Sequence, residues 1–248
     1  YNLINNEEDI ACERVFAPWT DMEEEMKKEN IPLFTLENKE PIKNFDFIGF
    51  TLQYEMSYTN IINMLHLGDV PILSKDRREG DPFVIAGGPC AYNPEPIADI
   101  VDFFVIGEGE EVILEILDRY KDFKNTNKSR RDFLKEICKI EGIYVPAFYK
   151  VYYREDNTID RMEPIVEGAP STIKKRIIKN LDQVYYPEKL ILPYIETIHD
   201  RIPLEIFRGC TRGCRFCQAG MIYRPVREKS IDRLLELAER LVESTGYE

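Results

Sequence analysis

Three of the chain's six cysteines fall within eight positions, as Cys210, Cys214 and Cys217 of "RGCTRGCRFCQAG" (208–220). Thiolates are soft ligands that select iron, copper(I) or zinc. A structural zinc site would need a fourth ligand to close it. His199 and Cys90 are the candidates, and neither stands at characteristic zinc spacing; His199 reads more simply as a surface or strand-end residue. An iron-sulfur cluster held by three cysteines instead leaves one iron without a protein ligand, open to a substrate or cofactor. Cys12, Cys90 and Cys138 are scattered and read as small buried apolar groups.

Such a loop needs rigid elements on both sides. "IPLEIF" (202–207) reads as a strand and the cysteine stretch as the loop at its carboxyl end. The helix that follows has Ile231, Leu234, Leu235, Ala238, Leu241 and Val242 at helical spacing, with Ser230 placed to cap it. Strand, loop and helix in this order make the first unit of a β/α barrel, whose active sites lie at such loops. Residues 1–122 alternate strand and helix. "CERVFA" (12–17) reads as a strand, followed by a helix capped by Thr20 with Glu23 in the reciprocal position. "FDFIGFTL" (45–52), "FVIAGGP" (83–89) and the start of "VDFFVIGEGEEVILEILDRY" (101–120) are apolar strands, and "MSYTNIINMLHLG" (56–68) is a helix with Tyr58, Ile61 and Leu65 inward. A last helix carries Ile113, Ile116, Leu117 and Tyr120 on one face.

The fold class predicted is therefore α/β: a doubly wound, Rossmann-like parallel sheet over 1–122, an accessory region over 123–200, and the start of a β/α barrel over 201–248. The accessory region holds a short helix around Leu134 and Ile137 and extended segments turning at Glu155-Asp156-Asn157. Both ends read as cut, with no initiator Met and a final helix that runs to the last residues. Ligands of doubly wound sheets lie beyond the carboxyl ends of the strands, where Thr51, Gly87, Gly88, Gly107, Glu108 and Gly109 fall. Glycines there would admit a ligand or another domain close to the backbone, or simply make tight turns. The acidic "GEGEE" argues against a phosphate loop.

Composition sets the class. The 248 residues are 44% hydrophobic and 31% charged, as in a globular protein. No apolar run is long enough for a membrane span, and the opening residues lack a signal core, so a cytoplasmic location is expected. Disulfides are disfavoured there, which turns clustered thiols toward metal or redox chemistry. The net charge is −12, yet residues 201–230 hold seven Lys or Arg against two Glu.

The cysteine loop, with Phe216 immediately before its third cysteine, resembles the cluster loop of radical S-adenosylmethionine enzymes. The resemblance implies that Cys210, Cys214 and Cys217 each bind one iron of a [4Fe-4S] cluster, and that Phe216 lies on the S-adenosylmethionine side. The fourth iron would chelate the amino and carboxylate groups of S-adenosylmethionine. Electrons from a reductant such as flavodoxin or ferredoxin would then cleave it to methionine and a 5'-deoxyadenosyl radical. Upstream, "VIAGGP", Pro94-Glu95 and "VIGEGE" resemble the cobalamin-binding-type domain that precedes the barrel in one branch of these enzymes. With "ERVFAPW", "GFTLQYEMSYTN" and "RGCTRGCRFCQAGMIYRPVRE", the chain is most similar over nearly its whole length to an uncharacterised bacterial family of that branch. The Asp-x-His-x-x-Gly motif that ligates cobalt is absent from the chain, and Thr51-Leu52-Gln53 stands where Ser-x-Leu is common. Cobalamin at the glycine edge, or a domain that keeps the fold and only docks on the barrel, are the two alternatives. Arg208, Arg212, Arg215, Arg224 and Arg227 could attract an RNA backbone, a small anionic substrate, or the cofactor carboxylate and the cluster's own charge. A non-catalytic zinc or iron-sulfur module serving as a scaffold is the second class of function. Resemblance gives a reaction type and leaves methyl transfer, sulfur insertion and ring rearrangement undistinguished.

Overall fold

A computed structural model describes all residues except 196, 197, 199, 200 and 248. The chain divides into two units, one of Tyr1 with Ile10–Arg176 and one of Asn2–Asp9 with Ile177–Glu248. The division falls inside the stretch read as accessory. Helix α1 (Asn2–Asn5) belongs to the second unit.

The first unit is built on one sheet. After helix α2 (Thr20–Glu29), strand β1 (Phe47–Thr51) leads through helix α3 (Tyr58–Leu67) to β2 (Phe83–Gly87), and then to β3 (Phe103–Val105) and helix α4 (Gly109–Lys124). Helix α5 (Arg130–Ile137) precedes β4 (Ile143–Tyr144). The strand order is β1-β2-β3-β4. The first three run parallel, from Phe47 beside Phe83 to Thr51 beside Gly87, and from Ile85 beside Phe103 to Gly87 beside Val105. β4 is antiparallel to β3, so the sheet is mostly rather than wholly parallel. Successive residues of a strand point to opposite faces, and both faces here are covered. Val84, Ala86, Phe104 and Tyr144 share a core with Met26, Ile61 and Leu65. Phe83, Ile85, Phe103 and Ile143 share another with Val112, Ile116, Phe133 and Ile137. This is the three-layer, Rossmann-like arrangement that the near-continuous apolar strands imply.

Two local expectations fail. Residues 12–17 form no strand: Glu13 binds Thr35 and Asn38, Arg14 binds Glu37, and the Leu36 amide donates to the Arg14 carbonyl. Side chains hold this segment where a ladder was expected. The capping box at Thr20 is also absent. α2 begins one residue sooner, with Trp19 as its cap, and the Glu23 carboxylate is taken by Lys27 and Asn63. The extended segments after Tyr144 do form a hairpin, β5 (Tyr149–Tyr153) with β6 (Ile159–Pro164).

In the second unit, helix α7 (Ile231–Thr245) starts where Ser230 Oγ accepts from the Arg233 amide at 3.2 Å, as read, and buries Leu237 and Leu241. The expected barrel strand over 202–207 is reduced to β7 (Phe207–Arg208), paired antiparallel with β8 (Arg227–Glu228). A parallel strand needs a parallel neighbour, and among the described residues none runs beside it. The Glu205 amide donates instead to the Tyr186 hydroxyl, and the Ile206 carbonyl accepts from Lys229. Among the described residues no helix is long and apolar enough to cross a membrane.

Candidate metal centre

The cysteine loop runs between β7 and β8, and its neck is tight. Gly209 has φ +98°, and a Cβ there would stand 2.6 Å from the Pro225 carbonyl oxygen. Only glycine fits a crossing so close. Cys210 leaves the neck half-buried, while Cys214 and Cys217 are exposed. Gly213, at φ +65°, turns the chain just before Cys214, and the Cys217 amide donates to the Cys214 carbonyl at 3.1 Å, closing a turn between the second and third thiols. A one-turn helix, α6 (Ala219–Ile222), follows. Phe216 is 90% exposed, and Arg212 and Arg215 beside it are exposed as well.

Below the neck lies an ion cluster. Glu205 Oε1 takes Arg208 Nε at 2.8 Å, and Glu205 Oε2 takes Lys229 Nζ at 2.6 Å. The Lys229 side chain is fully buried, with its ammonium 5.3 Å from the Tyr186 ring centre. Burial pushes the Glu205 carboxyl up, but its bonds to Arg208 and Lys229 outweigh this and hold it below the usual range.

Among the described residues no three His, Cys, Asp or Glu side chains gather where one metal ion could be held. Three thiols on one short loop are soft donors that fit an iron-sulfur cluster. A cluster takes its thiolates on separate irons, so its ligands stand apart where those of a single ion converge. His199, weighed as a fourth ligand, lies outside the described residues. The other thiols are of another kind: burial pushes Cys12, Cys90 and Cys138 up, away from the thiolate form that binds metal. Cys90 and Cys138 are buried as read, and Cys12 is half-buried.

The second set of expected residues lies at the carboxyl ends of β1–β3. Register brings Thr51 beside Gly87. Gly88 has φ +99°, and the Leu52 carbonyl oxygen would stand 3.0 Å from a Cβ there. Gly107 has φ +113°, and what approaches it is the chain's own Arg176, whose carbonyl oxygen would stand 2.2 Å from a Cβ. The Arg176 amide donates to the Ile106 carbonyl at 2.8 Å, and its carbonyl accepts from the Glu108 amide at 3.0 Å. Its guanidinium reaches Glu111 at 2.9 Å and Glu115 at 2.6 Å. The acidic run that argued against phosphate thus receives an arginine. At these two turns the chain packs against its own backbone, while Thr51 and Gly109 of the same edge are exposed. Gly109 has nothing within 4 Å of a Cβ. Arg176, Glu205 and Lys229 were not singled out in the sequence. Arg176 lies in the basic "TIKKRIIKN" and finds its acids some sixty positions upstream, so no local pattern marks it.

Comparison with known proteins places the chain. A protein of Methanocaldococcus jannaschii, itself uncharacterized, is 34% identical over 215 residues, covering 85% of this chain and 38% of the relative. The chain spans little more than a third of that relative's length, and the relative is archaeal where the motifs resemble a bacterial family. No solved structure matches. A family model described as "Radical SAM proteins, N-terminal" matches residues 1–146, more than half of the chain and most of the three-layer unit, and the chain belongs to the radical S-adenosylmethionine proteins.

Proposed function

We propose that the second unit carries the cluster-binding loop of a radical S-adenosylmethionine enzyme, with Cys210, Cys214 and Cys217 as the three protein ligands of a [4Fe-4S] cluster. When bound and reduced by a flavodoxin- or ferredoxin-type donor, the cluster and S-adenosylmethionine supply the electron transfer that starts radical chemistry. The chain's residues bind and orient. Gly209 and Gly213 set the path that delivers the three thiols to one loop, and the glycine at 209 permits the neck to close. Phe216 offers an exposed apolar face next to Cys217, suited to the cofactor's adenosyl side. Arg212 and Arg215 are free to meet a carboxylate or the negative charge of the cluster.

The observation that carries this reading is three thiols on one exposed loop with a fixed neck, in a chain of this family. The test is low-temperature electron paramagnetic resonance of the protein, reconstituted with iron and sulfide without oxygen, reduced, and recorded with and without S-adenosylmethionine. A four-iron signal that changes on adding the cofactor is expected, with the signal and the iron lost in Cys214→Ser. Intact iron in Cys214→Ser, or zinc on these cysteines in place of iron, would sink the assignment.

A further inference from the structure

Of the five buried polar or charged residues described, Thr35, Arg77, Asp102 and Arg130 belong to the first unit and Lys229 to the second. A buried ammonium is costly to desolvate, and an apolar side chain of like volume would often pack as stably. Its place in the fold is specific. Lys229 is the residue after β8, where the loop ends, and its amide donates to the Ile206 carbonyl at 2.9 Å, just before the loop begins. Its ammonium meets Glu205 Oε2 at 2.6 Å, and the same carboxylate grips Arg208 through Nε at 2.8 Å and Nη2 at 3.2 Å. Arg208 stands two residues before Cys210. The Glu205 backbone is pinned in turn, since its amide donates to the Tyr186 hydroxyl at 3.2 Å, and that hydroxyl donates to the Pro203 carbonyl at 2.8 Å. One carboxylate therefore ties the residue entering the cysteine loop to the residue leaving it, in a part of the neck largely shielded from water.

We propose that Lys229 is the positioning residue of the cysteine loop: acting through Glu205 and Arg208, it fixes the neck in one geometry and so fixes where Cys210 starts relative to Cys214 and Cys217. The role in cluster binding rests on the reading of these cysteines as ligands; the role in holding the loop does not. A buried ion pair that could be replaced by apolar packing, yet spans the two ends of one loop, is suited to specifying a conformation.

The test compares the wild-type protein with Lys229→Met and Lys229→Arg by hydrogen exchange before reconstitution, then by iron content and electron paramagnetic resonance after it. In Lys229→Met the hydrogen-bonded loop amides of Cys217, Met221, Ile222 and Tyr223 are expected to exchange at least about tenfold faster, the scale of one lost charged hydrogen bond, while those of α7 keep their protection. The reconstituted variant is expected to retain less iron and give a broadened reduced-cluster signal, and Lys229→Arg to restore both. Loop exchange and cluster signal equal to wild type in Lys229→Met would overturn the proposal. So would acceleration spread equally over α7, which would make Lys229 a general core residue. If Lys229→Met does not fold, Glu205→Gln, which keeps its volume and weakens both ion pairs, takes its place with the same expected and overturning results. Wild-type protein that takes up no iron would end the cluster reading and leave the exchange result to decide the clamp.

Discussion

Gly107 and Gly109 stand two positions apart in the same acidic turn and answer to different physics. Gly107 sits at φ +113° with the Arg176 backbone against it, so a methyl group there strains the backbone and strikes an oxygen that cannot swing aside. Gly109 opens α4 with space around it. Gly107→Ala is expected to cost about 3 kcal/mol or more, since backbone strain and displacement of Arg176 add, and Gly109→Ala to change stability by no more than about 0.5 kcal/mol. Urea denaturation of the two variants checks this. Equal midpoints would mean that Arg176 yields without cost and that the bridge at Gly107 contributes little.

Elements differ in how openly they announce themselves. α5 begins with a capping box: the Ser129 side chain accepts from the Asp132 amide, and the Asp132 carboxylate accepts from the Ser129 amide at 3.2 Å. Ser129→Ala is expected to lower stability by about 1 kcal/mol, read as a shift in the denaturation midpoint; an unchanged midpoint would show that packing of Phe133 and Ile137 alone holds the helix. Ser-Arg-Arg-Asp, just before Leu134 and Ile137, is the local pattern that marks this start. At Thr20 a similar pattern was present and the box did not form, because Glu23 found Lys27 and Asn63 instead. α3, α4 and α7 were legible because burial of one face imposes a helical period on the residues, and β1, β2 and β3 because burial of both faces leaves a near-continuous apolar run. The cysteine loop was legible from chemistry, through thiol spacing. What supports both sites was not: Arg176 and Lys229 find their acids at least 24 positions away, and charged residues carry no period. "CERVFA" misled for the converse reason, since its apolar and β-branched residues suit a strand but its Glu13 and Arg14 side chains found other partners.

At the scale of the molecule, the family match and the folded unit end at different places. The match stops at residue 146 and the first unit at Arg176. The thirty residues between include Phe148, which is buried in the core over α5. They also include Tyr149, whose ring lies 5.1 Å from that of Tyr144 and whose hydroxyl donates to the Pro170 carbonyl at 2.6 Å. A fragment of residues 10–176 is expected to unfold cooperatively, and one of residues 10–146 to be less stable by about 3 kcal/mol or more from the loss of a buried aromatic alone, if it stays soluble. Coincident denaturation curves for the two would show residues 147–176 to be an appendage.

The bridge between Gly107 and Arg176 also sets a clock. Arg176 follows Gly107 by 69 positions, and chains emerge from the ribosome at about 5–20 residues per second, so the end of β3 waits roughly 3 to 14 s for the backbone that will cover it. During that interval a strand end rich in phenylalanine is available to any passing edge. Glu108, Glu110 and Glu111 follow it directly, and like charges at the end of an apolar strand repel a second nascent copy of the same segment. The acidic turn can thus serve twice in the life of the molecule, first as a guard on an unfinished sheet and then as the receptor for the arginine that finishes it.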